Sequence, residues 1–164
     1  MTILTTFHSL PRVTLALAAA ATLALGVPHA EAQDAASAAV KARQSHMQLY
    51  AYNLGILGGM ARGLVDYDAA TAQTAADNLS TLAHMDTRSY WLPGTAMGEQ
   101  DGSNALPAIW EDGSDIGAKA GDLAAATEAL QAAAGSDLAA LQGAMGPLGA
   151  ACSACHKSYR HSDE

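Results

Sequence analysis

VKARQSHMQLYAYNLGILGGMA, residues 40–61, decides what kind of fold this chain can form. Val40, Arg43, Met47, Tyr50, Leu54, Leu57 and Ala61 recur at spacings of three and four, which puts them on one stripe of an α-helix. A second set, Leu49, Tyr52, Ile56, Gly59 and Met60, lies partly off that stripe. One side of such a helix is expected to face a core and the other a partner subunit. The predicted helix covers residues 35–63. Glycines at 55, 58, 59 and 63 oppose it by about 1 kcal/mol each relative to Ala, but small residues let a backbone come close to something bulky.

Three more helices are expected downstream. Asp66-Tyr67-Asp68 breaks the first, with Asp68 a candidate N-cap for a second over residues 69–85. Residues 87–106 carry Pro93-Gly94, Gly98, Gly102 and Ser103-Asn104, the residues of turns. A loop this long in a compact domain has a job or packs on something. The third helix is predicted to start near Pro107, which suits a first helical turn, and to continue through Trp110, Ile116, Leu123 and Leu130 to Gly135. Ser136 or Asp137 can cap the fourth, which runs through Leu138, Leu141, Met145 and Leu148, with Gly146-Pro147 a candidate kink. Four helices with short connections and one long loop read as an all-α, antiparallel four-helix bundle.

Composition agrees. The chain has 164 residues, a one-domain length, and is half apolar but only 5% aromatic, with a net charge of −8. Ala, Leu and Gly dominate the apolar half, and strands prefer other residues. The acidic balance argues against nucleic acid and against an anionic membrane surface, both of which select clustered Lys and Arg. Two cysteines exclude a disulfide-rich scaffold. What remains open is how a core so poor in large side chains is filled.

Residues 1–32 read as a cleaved secretory signal peptide. Arg12 is the positive n-region, Val13 to Val27 an uncharged apolar run, and Ala30-Glu31-Ala32 a small-x-small processing site. The run is too short, and too abruptly ended by Pro28, for a membrane anchor of about 20 apolar residues. No other span is expected, so residues 33–164 form one exported domain. Losing Arg12 and Glu31 leaves the net charge unchanged, and the only Phe, Phe7, goes with the leader.

Both cysteines lie in Cys152-Ser153-Ala154-Cys155-His156. This is the attachment pattern of c-type haem. On a helix, residues three apart share a face, so both sulfurs can reach the vinyl groups of one porphyrin, and His156 can lie under the iron as proximal ligand. A redox-active disulfide pair uses the same spacing, but normally at a helix start in an α/β fold. A zinc site would have to recruit His161 and one of His46 or His84.

A bundle of this size with Cys-x-x-Cys-His in its last helix resembles the cytochrome c′ family. Further landmarks in order carry the resemblance: Arg43-Gln44-Ser45 with position 47, Tyr67-Asp68-Ala69-Ala70, Pro93-Gly94-Thr95, Ile109-Trp110 with Asp112, and Tyr159-Arg160. The resemblance implies one covalently attached haem c with its iron. Cys152 and Cys155 would hold the haem, His156 would be proximal ligand, Arg43 would lie near a propionate and Arg160 one turn beyond His156. It also implies a homodimer through the first two helices.

In this family the residue at position 47 faces the distal side of the haem. An apolar residue there goes with five-coordinate iron that binds carbon monoxide or nitric oxide. Met there resembles the low-spin cytochrome c-556 type, and here the residue is Met47. Its thioether suits haem iron, and His/Met ligation raises the reduction potential. His46 is a rival ligand, but it points about 100° away around the helix, and its expected place is partly exposed or at an interface. Tyr50, Tyr52, Trp91 and Trp110 are expected to pack, and His84 and His161 to lie at the surface.

The resemblance therefore implies a periplasmic one-electron carrier, not an enzyme, with His156 and Met47 as iron ligands and Cys152, Cys155, Arg43 and Arg160 as haem-binding residues. An acidic surface would steer redox partners carrying basic patches. The alternative is a five-coordinate protein that binds or scavenges nitric oxide or carbon monoxide.

Overall fold

A computed structural model describes residues 27–162. Most of the expected leader lies outside them. The described residues from Asp34 onward form one compact unit, and apart from the start of the first helix all that follows concerns it.

The described residues hold four α-helices: α1 (Val27–Ala61), α2 (Ala69–Ala83), α3 (Ile116–Ala133) and α4 (Leu138–Tyr159). Two helix starts are fixed by side chains read from the sequence. Asp68 accepts from the Thr71 N–H at 2.7 Å, and Asp137 from the Ala140 N–H at 2.8 Å. Each satisfies a backbone donor that the helix itself leaves without a partner. Pro147 sits inside α4 without ending it. The carbonyl it deprives belongs to Gly143, and both residues face solvent, so the lost bond leaves no buried group without a partner.

The start of α3 differs from expectation. Pro107 opens only a single 3-10 turn, Pro107–Ile109. The Trp110 indole N–H then bonds to the Trp91 carbonyl at 3.1 Å. Gly113, at φ +86°, turns the chain through the left-handed region that favours glycine. The helix resumes at Ile116. A proline at a first turn signals where a helix can start, not how far it runs.

The core joins all four helices. Tyr50, Leu57 and Met60 of α1 meet Ala72, Ala76 and Leu79 of α2, Leu130 of α3, and Leu141 and Leu148 of α4. Leu57, Leu79, Leu130 and Leu141 are fully enclosed, each contributing about 1.5–3 kcal/mol of apolar burial. Polar contacts fix the register: Asn78 donates to Asn53 at 3.0 Å, Gln142 to the Ala61 carbonyl at 2.8 Å, and the Tyr67 hydroxyl to the Ala134 carbonyl at 2.8 Å. By length and composition α4 could cross a membrane, contrary to the expectation that no segment past the leader would. Its Leu141 and Leu148 are nevertheless part of the shared core.

The long loop packs on the end of α4. Ala105 and Arg160 form an isolated antiparallel bridge. Leu106 N–H bonds to the Tyr159 carbonyl, and His161 N–H to the Asn104 carbonyl, both at 2.9 Å. The loop thereby walls one side of the site.

Candidate cofactor site

Cys152, Cys155 and His156 lie on one face of the last two turns of α4. Both cysteines are free and half-buried, and burial pushes both thiols up. The His156 imidazole is held below its usual value by partial burial and then by the nearby Arg160 guanidinium. It is therefore neutral at pH 7, the form that ligates a metal.

This face borders two cavities, of about 630 Å³ and about 480 Å³. They share Met47, Ala51, Ile109, Ile116, Cys155 and His156 among their walls, so they are adjoining lobes. The larger lobe runs inward past Tyr50, Leu54, Leu82 and Cys152. The smaller opens toward Asn104, Tyr159 and Arg160. Each lobe is lined mainly by apolar surface and has a volume within the roughly 300–1,000 Å³ usual for a cofactor site.

Met47 borders both lobes but is 41% exposed. Val40, Arg43, Tyr50 and Leu57 of the expected stripe are buried, while His46, Asn53 and Met60 are buried where Met47, Leu54 and Ala61 are expected. Met47 stands at the edge of the buried stripe. His46 is thus neither exposed nor at an interface. Its ring stacks on Tyr50 (centroids 5.1 Å apart, planes 8° from parallel), and its Nε2 lies 3.2 Å from the Leu82 carbonyl. It lines the larger lobe, but this bond turns it toward α2.

Arg43 is 6% exposed. Its guanidinium donates to the Tyr90 carbonyl (2.7 Å), the Thr95 hydroxyl (2.7 Å), the Thr95 carbonyl (2.9 Å) and the Ser103 hydroxyl (3.2 Å). It also lies 5.0 Å from the Trp91 ring centroid and 5.9 Å from that of Trp110. Arg43 thus pins the long loop to α1 while bordering both lobes. The loop's expected job is to supply these acceptors. Arg160, exposed at the end of α4, borders the smaller lobe near His156.

Among the wall residues, the charged side chains Lys119 and Arg88 are not singled out in the sequence, and Met85 is there only a weaker ligand candidate than Met47. Met85 lies two residues past α2, borders the larger lobe and is 44% exposed. Lys119 borders the same lobe and pairs with Asp115 at 3.2 Å. Arg88 does so too, and its bond to Asp86 at 2.6 Å holds that carboxyl at about 2. None follows an apolar period, so periodicity could not reveal them. Met60, Met97 and Met145 border neither lobe. Tyr52, expected to pack, is 69% exposed. Among the described residues no group of three or more His, Cys, Asp or Glu is placed to hold a metal ion, which disfavours zinc.

The sequence model of the family described as Cytochrome C′ matches residues 38–160. The chain belongs to the cytochrome c′ family. It is similar to cytochrome c-554 of Cereibacter sphaeroides, 49% identical over 124 residues, covering 76% of this chain and 93% of the relative. It is also similar to cytochrome c-556 of Agrobacterium tumefaciens (strain II Chrys), 34% identical, covering 74% and 95%. Among solved structures, a cytochrome c′ from Rhodobacter spheriodes superposes with a TM-score of 0.75 at 36% identity, covering 78% of this chain and 98% of that one.

The cytochrome is accordingly a monohaem c-type protein built as a four-helix bundle, with covalently attached haem c and its iron as cofactor. Its two cysteines fit the haem-attachment motif. A flat, largely apolar macrocycle also answers the question of the core: Ala51, Ala83, Ala120 and Ala151 border the larger lobe, where bulkier side chains would fill the space.

Proposed function

We propose that the protein is a periplasmic one-electron carrier whose haem iron is ligated by His156 and Met47. The observation that carries this reading is that Met47 of α1 and His156 of α4 border the same two lobes. Cys152 and Cys155 attach the haem, Arg43 and Arg160 lie at its polar edge, and no reaction is catalysed on a bound substrate. Haem iron supplies the reversible one-electron step. The chain holds both ligands on separate helices, so the redox change needs little rearrangement. Apolar walls keep water out and favour the less charged ferrous state.

Residues 1–32 direct export and are removed. The acidic surface steers partners with basic patches. Exposed Leu49 and Tyr52 of α1, with exposed Val65 in the turn after it, give an apolar outer face that fits a second copy of the chain. Tyr52→Glu is expected to reduce the sedimenting mass by half; a monomeric mass for the unsubstituted protein would contradict the dimer, and a dimeric mass for the variant would contradict this face.

The alternative, nitric oxide or carbon monoxide binding at the distal face, draws on the exposure of Met47, which a side chain locked in a core would lack. Absorption spectra in both oxidation states, with and without carbon monoxide, separate the two readings.

A further inference from the structure

Tyr159 is the last residue of α4, one turn beyond His156, and it is buried. Its hydroxyl donates to Asp115 Oδ1 at 2.5 Å and accepts from the Asp115 backbone N–H at 2.9 Å. Ser114 Oγ donates to the same oxygen at 3.2 Å. The other Asp115 oxygen pairs with Lys119 Nζ at 3.2 Å, and Lys119 borders the larger lobe together with Cys155. On the main chain, the Tyr159 carbonyl accepts from Leu106 N–H at 2.9 Å and the His156 carbonyl from Arg160 N–H at 3.0 Å.

The end of a helix ordinarily frays, because its last carbonyls have no partner within it. Here the turn that bears His156 is closed from three sides: by the start of α3, by the long loop, and by its own cap. Such closure exceeds what a solvent-facing helix end needs, and it converges on the turn that presents the imidazole.

We propose that the Asp115–Tyr159 hydrogen bond is a positioning latch for His156, fixing the last turn of α4 against α3 so that the imidazole meets the haem iron in one orientation. This rests on His156 being the proximal ligand. Tyr159 and Asp115 are positioning residues that act through His156. Outer partners of a ligating histidine set its orientation and donor strength. A loosened imidazole donates less charge and stabilises the ferric state less, so the reduction potential rises.

The test uses the haem-loaded Tyr159→Phe and Asp115→Ala variants. Tyr159→Phe keeps the ring and its packing, and Asp115→Ala keeps Tyr159. Each is expected to raise the reduction potential and to broaden the iron–imidazole vibration of the reduced protein. The double variant should shift the potential by less than the sum of the two single shifts, since both changes break the shared Asp115–Tyr159 bond. Unchanged potential and vibration in either single variant, with only thermal stability reduced, would overturn the latch. If Tyr159→Phe fails to mature, Asp115→Ala decides by itself. A wild-type spectrum in haem-loaded His156→Ala would instead refute the ligand assignment, so the two failures are distinguishable.

Discussion

Met47 on α1 and His156 on α4 border the same two adjoining lobes, although 109 positions of sequence separate them. Met85 enters the larger lobe only. Replacing Met47 by Leu keeps bulk and removes sulfur. The expected outcome is a change from low-spin to high-spin iron and a gain of carbon monoxide binding. Met85→Leu should leave the spectrum unchanged. The reverse pattern would assign the sixth ligand to Met85.

Cys152 and Cys155 are expected to contribute one thioether each. Cys152→Ser or Cys155→Ser should leave a haem that stays with the protein on denaturation but has a shifted α band. The double variant should release its haem under denaturing conditions. Haem retained by the denatured double variant would show another attachment.

Arg43 makes four hydrogen bonds to the loop from a buried position. Lysine cannot reproduce its planar fork, and each buried acceptor left unsatisfied costs about 1–3 kcal/mol. Arg43→Lys should therefore lower stability by about 3 kcal/mol in chemical denaturation. A loss well under 1 kcal/mol would mean that the loop is held by other contacts.

His84 lies 3.0 Å from Glu128 and bonds to the Ser80 carbonyl at 2.8 Å. The backbone bond, then the glutamate, raises its pKa above 6.5. A raised folded value means the pair contributes fully below the unfolded pKa, and its contribution is lost as pH rises through the folded one. Both side chains are well exposed, so the effect on stability is small. The direct reading is the His84 proton resonance, whose midpoint should fall in Glu128→Gln. An unmoved midpoint would leave the backbone bond as the whole cause.

Much of this was legible in the sequence because it rests on local chemistry. Asp68 and Asp137 cap helices by contacts three residues long, and the haem motif works through helical spacing alone. What failed was decided by distant contacts. The start of α3 depends on Trp110 reaching Trp91 and on the turn at Gly113, and Pro107 signals neither. The buried stripe of α1 takes in His46 because its ring finds both Tyr50 and the Leu82 carbonyl. Burying a polar ring is tolerated when it is hydrogen-bonded, and apolar periodicity has no term for that. Tyr52 is expected to pack and is exposed, for periodicity along a helix cannot tell an inner face from an outer one that also carries apolar residues.

The central claim is a haem iron ligated by His156 and Met47, and the absorption spectrum of the oxidised and reduced protein tests it most directly. The account predicts low-spin spectra in both states, a sharp α band on reduction and no change on adding carbon monoxide. A broad high-spin spectrum that shifts with carbon monoxide would contradict it.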